Sequence, residues 1–156
     1  MSYISEIRAR VGHERIFNPG VRAIIVNDKD EVLLQRRTDT GDWSLPAGGV
    51  ELGETALGAL HREVLEETNL EVLAAEPMAL YSGMSQQFEY PNGDKIQAFA
   101  VTFIVRQWRG VPQADGEEGS EVSFWPLDKL PENLVKRHLD TLRDFQRYNG
   151  KFILAE

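Results

Sequence analysis

The sequence has no cysteine, no excess of basic residues and no long apolar run. Without cysteine, the chain can form neither disulfides nor thiolate metal sites. Its 25 acidic residues against 17 basic ones give a net charge of −8, and the absence of a basic stripe argues against a nucleic-acid polymer as partner. The apolar runs are too short to cross a bilayer, and the charged N-terminus lacks the apolar core of a secretion signal. We therefore expect a cytoplasmic protein without a membrane partner.

An acidic chain can still bind a small phosphorylated molecule, because a bound divalent cation reverses the local charge. The 156 residues, 42% of them apolar, suit one domain with its own core, spanning residues 1–156. No internal repeat or linker interrupts it. The oligomeric state is left open, with a homodimer as one alternative.

Hydrophobic periodicity predicts helices over 3–11, 55–68 and 131–148, and strands over 21–27, 31–37, 71–84, 86–90, 95–108 and 121–127. Turn residues at 28–30 and 91–94 predict two hairpins, and Pro77 predicts an irregular strand. This order indicates an α/β fold in which helices cover a mixed sheet. We expect the following to be buried: Leu57, Leu60 and Val64 in the central helix, and Leu134, Leu139, Leu142 and Phe145 in the last one. The three histidines, His13, His61 and His138, are expected at the surface.

Three glutamates in the central helix point to chemistry. Glu63, Glu66 and Glu67 lie at i, i+3 and i+4, so they share one helix face, where like charges repel by a few tenths of a kcal/mol per pair. Clustered carboxylate oxygens are the ligands that Mg²⁺ and Mn²⁺ prefer. Arg62 flanks these acids and can pair with one of them. The helix is therefore interpreted as metal-binding.

The same stretch resembles the signature of a known family. The pattern Gly-x5-Glu-x7-Arg-Glu-apolar-x-Glu-Glu-x-Gly-apolar is the Nudix box, and eight of its nine specified positions fit residues 48–70. The matching residues are Gly48, Glu54, Arg62, Glu63, Val64, Glu66, Glu67 and Leu70. Asn69 stands where the family has glycine; because asparagine also adopts the left-handed conformation, we expect the turn to form.

The resemblance implies a Nudix-type α/β/α sandwich with a mixed sheet, and a metal-dependent hydrolase related to MutT that cleaves nucleoside diphosphates linked to a further group. It implies that Glu63, Glu66 and Glu67 hold Mg²⁺ or Mn²⁺, with the carbonyl of Ala47. A late-loop acid is expected to join them: Glu118 is the first candidate, and Glu117 and Glu121 are its rivals. Catalytic roles fall on Arg62, Glu63 and Glu66, with Glu63 or Glu66 accepting the proton of the attacking water.

Four further residues have two interpretations each. Arg37 is a candidate phosphate contact, with a surface ion pair as its alternative. Trp43 is a candidate for stacking on a base, although a core aromatic is the simpler interpretation. Glu54 is either a ligand or a helix-start residue that favours the dipole. Glu51 belongs either to the site or to the surface.

The predicted substrate is a small nucleotide, cleaved at a phosphoanhydride bond. A nucleoside triphosphate, normal or oxidised, cleaved to monophosphate and pyrophosphate, is favoured over ADP-ribose, because relatives that prefer ADP-ribose tend to carry a proline that residues 82–90 lack. The alternatives are an ADP-ribose or nucleoside-diphosphate-sugar pyrophosphatase and a non-catalytic, nucleotide-sensing Nudix module. Isomerisation of a prenyl diphosphate ranks last, because the chain has no cysteine for it.

Overall fold

Residues 1–156, described by a computed structural model, form three α-helices and nine β-strands. The helices are α1 (Tyr3–Val11), α2 (Ala56–Thr68) and α3 (Lys136–Arg147). The strands are β1 (Ile16–Ile25), β2 (Val32–Arg37), β3 (Trp43–Ser44), β4 (Ala47–Gly49), β5 (Glu71–Tyr81), β6 (Gln87–Glu89), β7 (Lys95–Arg109), β8 (Gly119–Trp125) and β9 (Ile153–Leu154). No helix has the length and apolar content needed to span a membrane.

The strands form two sheets. The larger one is mixed and has the order β4-β1-β7-β5-β9, with β6 paired to β7. In it β1 runs parallel to β7 and β9 runs parallel to β5, while β4 is antiparallel to β1 and β5 is antiparallel to β7. The smaller sheet, β3-β2-β8, is antiparallel. The predicted α/β class with a mixed sheet is confirmed.

Helices α2 and α3 cover opposite faces of the larger sheet. Successive strand residues point to opposite faces, so Ile25 packs in the cluster that contains Leu60 and Val64 of α2. Its neighbour Ile24 packs in the cluster that contains Leu142 of α3. The α/β/α layering is confirmed, and it places α2 directly behind β1 and β4.

The first predicted hairpin is wrong. The chain does turn at 28–30, where one antiparallel bridge joins Val26 to Val32. Beyond it, β1 continues into the larger sheet and β2 into the smaller one. A local turn pattern does not report which partner a strand takes, and here tertiary packing separates the two strands. The second hairpin, β6–β7, is confirmed, and β5 has the expected register shift after Pro77.

The last helix begins at Lys136, five residues later than predicted. The preceding residues are extended because they pair with β3: the Trp43 amide donates to the Asn133 carbonyl at 3.0 Å, and the Val135 amide donates to the Trp43 carbonyl at 2.8 Å. This pairing brings the start of α3 against the same region as β4.

The apolar face of α2 is rotated from its predicted position. Leu60 and Val64 are buried as expected, but Leu57 is 49% exposed, and Ala59 is buried in its place. The small Ala59 side chain allows close approach to the sheet, and the same rotation turns Glu67 inward to 2% exposure. A carboxylate therefore occupies a core-facing position of this helix.

Candidate active site

Both ends of α2 are closed by specific hydrogen bonds. At its start the Thr55 hydroxyl accepts from the Gly58 amide at 3.0 Å. At its end Asn69 has φ 62° and ψ 17°, the expected left-handed conformation, and its amide donates to the Leu65 carbonyl at 3.0 Å. The Asn69 side chain also donates to the Val111 carbonyl at 3.2 Å, which glycine could not do. The glutamates thus lie on a helix of defined length.

The three helix glutamates differ sharply in exposure. Glu67 is 2% exposed, whereas the side chains of Glu63 and Glu66 are 12% and 57% exposed. The carboxylates therefore form a gradient from core to solvent rather than a uniform acidic face.

Glu67 is held by two neutral donors. Gln35 Nε2 and the Ala47 amide donate to its Oε2 at 3.0 and 3.1 Å. Its Oε1 is buried and has no hydrogen-bond partner. Burial, with added repulsion from Glu63 and Glu118, raises the pKa of Glu67 well above its usual value. A buried carboxylate oxygen without a hydrogen-bond donor destabilises the fold unless another donor or a cation interacts with it.

Arg62 organises the exposed side of the cluster. Its guanidinium donates to both oxygens of Glu54 at 2.8 and 2.9 Å, and to the Gly49 carbonyl at 2.9 Å. It also reaches Glu63 at 2.6 Å and Glu66 at 3.3 Å. These contacts give Arg62 a positioning role, since all of them orient carboxylates or the β4 backbone.

Glu54 and Glu51 have structural partners. The Arg62 side chain, aided by the Glu51 amide, lowers the pKa of Glu54 to about 2, so Glu54 is a permanent anion that anchors Arg62. The Glu51 carboxylate accepts from the Tyr3 amide at 2.8 Å and ties α1 to the segment before α2. These contacts favour the structural interpretation of both residues.

Glu63 lies directly behind Gly48. A Cβ at position 48 would be 2.0 Å from the Glu63 carboxyl carbon, so only glycine leaves room for the carboxylate. Burial raises the pKa of Glu63 to about 7; Arg62 opposes this shift, while Glu66 and Glu118 add to it. This carboxyl group is therefore easily protonated when no cation is present.

Among the late-loop acids, Glu118 is the one that acts on the cluster. Its carboxylate is among the main causes that raise the pKa of both Glu63 and Glu67, and neither Glu117 nor Glu121 is among them. The loop is shaped by Asp115, whose Oδ1 accepts the amides of 117, 118 and 119, each at 3.0 Å. The geometry thus supports Glu118 over its two rivals.

A cavity of about 400 Å³ opens beside the carboxylates. Ala47 and Gly48 of β4 form one end of it. Its lining also includes Arg22 of β1, Arg37 of β2, Phe88, Tyr90 and the first turn of α3. The Glu63 carboxylate thus lies behind Gly48 at the cavity wall. Guanidinium groups and aromatic rings share the rest of the lining with the acidic residues Asp39, Asp42 and Glu89.

Comparison with known proteins decides the family. The model of the NUDIX domain matches residues 16–145. The chain belongs to the NUDIX family. An ADP-ribose pyrophosphatase of Methanocaldococcus jannaschii is 32% identical over 132 residues, covering 83% of this chain and 73% of that protein. A Bacillus subtilis protein described provisionally as an 8-oxo-dGTP diphosphatase is 27% identical over 131 residues, 84% and 81% of the two chains. The structure of a MutT protein from Methanosarcina mazei is 27% identical, with a TM-score of 0.67 over 86% of this chain and 96% of that one.

The carboxylates of this Nudix chain are not arranged as a ready metal site. No three of its acidic or histidine side chains converge with ligand geometry. The donor set nevertheless fits a hard divalent cation: Glu67 Oε1 is buried without a partner, and Glu63 and Glu118 approach Glu67 closely enough to raise its pKa. A cation among these oxygens would give Glu67 Oε1 a partner and would offset the repulsion between the carboxylates.

The two predicted substrate-binding residues have different surroundings. Arg37 lines the cavity, as a phosphate contact would. It also forms an ion pair with Asp39 at 2.6 Å, so the alternative of an ion pair applies as well. Trp43 is 7% exposed and packs edge-on against Trp125, with ring centroids 5.2 Å apart. Its ring is therefore a core group that does not line the cavity, and stacking on a base is not supported.

The expectation that His138 lies at the surface is wrong. It is 6% exposed, and its Nδ1 accepts from the Leu45 amide at 2.9 Å. Burial and the nearby arginines lower its pKa well below the usual value, so the ring is neutral. The spacing of four residues among Leu134, His138 and Leu142 was the signal that could have revealed it. Gln35, Arg22 and Arg137 were also missed.

Proposed function

We propose that this Nudix protein hydrolyses a nucleoside triphosphate to nucleoside monophosphate and pyrophosphate, with Mg²⁺ or Mn²⁺ as cofactor. Hydrolysis of a pyrophosphate bond in a nucleotide derivative is the reaction class of the family to which the chain belongs. The observation that carries the proposal is the buried, partnerless Oε1 of Glu67 beside Glu63 and Glu118, behind the end of a cavity large enough for a nucleotide.

The metal ligands in this proposal are the Glu63, Glu66, Glu67 and Glu118 carboxylates and the Ala47 carbonyl. These groups would hold a divalent cation, which would supply charge neutralisation for the phosphates and would lower the pKa of a bound water. Arg62 positions Glu63 and Glu66. Gln35 and the Ala47 amide fix one oxygen of Glu67, so that the other is presented to the ligand site.

A glutamate is proposed to accept the proton of the attacking water. Glu63 and Glu66 are the candidates, and the geometry favours Glu63, because it is largely buried and sits directly against Gly48 at the cavity. Glu66 is 57% exposed and lies further from the buried end of the cluster. Water attacks one of the two phosphorus atoms of the α–β phosphoanhydride and its oxygen joins that phosphorus, while the glutamate takes its proton. The bridging P–O bond breaks, and the other fragment, nucleoside monophosphate or pyrophosphate, departs as an anion.

Two alternatives to this substrate are kept. The likeness to an ADP-ribose pyrophosphatase at 32% identity favours ADP-ribose as the second candidate. A nucleotide sensor without catalysis is disfavoured, because all three helix acids and Arg62 are present and mutually oriented. The aromatic residues Phe88 and Tyr90 lie where a base or sugar would contact the cavity wall.

A substrate panel tests the proposal. dGTP, 8-oxo-dGTP, GTP, ADP-ribose and a nucleoside-diphosphate sugar are incubated with Mg²⁺, and kcat/KM is compared by phosphate release after coupling enzymes. Triphosphates are expected to lead, and Glu67→Gln should abolish turnover, while Glu132→Gln, an exposed acid far along the chain, should not. If ADP-ribose or the sugar nucleotide outcompetes every triphosphate, the substrate assignment is wrong. If nothing is hydrolysed, the enzymatic proposal itself fails.

A further inference from the structure

The cavity carries three guanidinium groups, each of which lies over an aromatic ring. The ring partners come from strands or from the β6–β7 turn. The distances from guanidinium carbon to ring centroid are 5.1 Å for Arg22 over Tyr81, 5.8 Å for Arg37 over Tyr90, and 3.8 Å for Arg137 over Phe88. A ring holds a cation by its face and leaves the in-plane N–H donors free. The three side chains are thus supported without using up their capacity to bind an anion.

Two of the three arginines have no carboxylate partner. Arg37 is neutralised by Asp39 through hydrogen bonds of 2.9 and 2.6 Å. Arg22 is 3% exposed and donates only to the neutral side chains of Gln86 and Thr141. Arg137 donates no side-chain hydrogen bond, and its Nε is buried without a partner. Positive charge therefore remains uncompensated on Arg22 and Arg137.

The surroundings of these two side chains reinforce that imbalance. Burial and repulsion from Arg137 lower the pKa of Arg22 to about 10; burial, with repulsion from Arg37, lowers that of Arg137 to about 10. Both groups are still cations at neutral pH. The first turn of α3, where Arg137 lies, contains no acidic residue and has no side-chain cap. Unpaired buried charge is costly, so an anion bound here would be stabilised by the pocket.

The arginines adjoin the carboxylate end of the same cavity. Arg22 is the cross-strand partner of Ala47, and Arg37 is near enough to Glu67 for their charges to interact. A cation at the carboxylates accounts for the two phosphates of a scissile linkage. A diphosphate-linked sugar has no further anionic group to offer the arginines, whereas a triphosphate has one.

We propose that Arg22 and Arg137 form a second anion site that binds a phosphate group beyond the two at the carboxylate end, and that this site selects substrates with at least three linked phosphates. The inference rests on the proposed hydrolysis of a nucleotide phosphoanhydride and names the group that decides specificity. Arg22 and Arg137 act here as specificity residues, whereas Arg37 is already paired with Asp39.

The test compares GTP, GDP and ADP-ribose as substrates for the wild type, Arg137→Gln, Arg22→Gln and Arg106→Gln, all with Mg²⁺. Arg106 is the matched control: it also lies over a ring, Phe145, at 5.7 Å, but it is outside the cavity and 57% exposed. Arg137→Gln is expected to raise KM and lower kcat/KM for GTP by about tenfold or more, as loss of a charge-assisted hydrogen bond does. GDP and ADP-ribose should change by less than about threefold, and Arg106→Gln should leave all three unchanged.

Equal losses on all three substrates, or no loss on GTP, overturn the inference while leaving the hydrolase proposal intact. If the wild type hydrolyses nothing, the hydrolase proposal fails. The anion site is then tested by ligand binding instead of by kinetics. In that case inorganic tripolyphosphate is added in EDTA and the melting temperature is followed. A rise in the wild type and in Arg106→Gln but not in Arg137→Gln supports the site; no rise, or the same rise in all, overturns it. Because Arg22 is buried, Arg22→Gln can fail to fold; in that case the result for Arg137→Gln alone tests the inference.

Discussion

Without a divalent cation, this protein should lose stability as the pH rises from about 5 to about 8. The cause is Glu63, whose pKa is raised from 4.5 to about 7 by burial. Between these values the folded state binds more protons than the unfolded state, so unfolding becomes easier as pH increases. Glu67, whose pKa is also raised, acts in the same direction. His138, whose pKa is lowered by burial, acts in the opposite direction below about pH 6.5. The stability that Glu63 contributes is therefore fully present below its unfolded pKa of 4.5 and is lost as the pH rises through its folded pKa of about 7.

The size of the effect follows from the shift. A difference of about 2.5 pKa units at about 1.36 kcal/mol each corresponds to about 3 kcal/mol from Glu63, whose side chain is 12% exposed. For a chain of this length, 1 kcal/mol moves Tm by about 2–4 °C, so the titration of Glu63 alone should lower the metal-free Tm by about 6–12 °C. Mg²⁺ should raise Tm strongly at about pH 8 and hardly at about pH 5, because protons compete for the same oxygens.

Differential scanning calorimetry in EDTA and in Mg²⁺ across this pH range measures the effect. Glu63→Gln should flatten the metal-free pH dependence, because a neutral amide replaces the titrating group, while Glu132→Gln should leave it unchanged. A metal-free Tm that is constant or rises between about pH 6.5 and about pH 8, above the range in which His138 opposes Glu63, would refute the reasoning. So would an unaltered slope in Glu63→Gln.

Further changes test the site in other ways. Chelation should abolish hydrolysis, and Mg²⁺ or Mn²⁺ should restore it, as followed by product release. Glu67→Gln should lower kcat by more than about a hundredfold with an unchanged circular dichroism spectrum, whereas His61→Ala should be silent; equal losses would mean that the wrong helix face was chosen. Gly48→Ala should reduce activity, because its Cβ would lie 2.0 Å from the Glu63 carboxyl carbon. Asn69→Gly should keep the urea-derived free energy of unfolding within about 1 kcal/mol.

The sequence was most informative where its signals are local. The central helix was predicted over 55–68 and is observed at Ala56–Thr68, with Thr55 as its cap and Asn69 as its left-handed end. Caps, helical periodicity and the 23-residue box all depend on residues close in sequence, so they identify the element and its acids together. The graded burial of those acids depends on how α2 is rotated against β1, and periodicity alone placed Leu57 on the wrong side.

Features that depend on tertiary contacts were not predictable in this way. Arg22 and Arg137 come from a strand and the last helix, and nothing in their spacing indicates that they share a cavity with Arg37. Trp43 and the residues around Asn133 pair across the fold, which delays the start of α3. Likewise, β2 pairs with β8 in the smaller sheet and not with the strand before the turn at 28–30, because long-range packing determines this pairing.

Hydrolysis of GTP in ¹⁸O-labelled water, with Mg²⁺ and with EDTA in parallel, tests the central claim most directly, namely that the α2 carboxylates support metal-dependent cleavage of a phosphoanhydride. The account predicts GMP and pyrophosphate as the products, with one labelled oxygen in one of the two, and no product in EDTA or with Glu67→Gln. Release of orthophosphate and GDP would contradict the proposed bond. Undiminished turnover in EDTA would contradict the metal-dependent site itself.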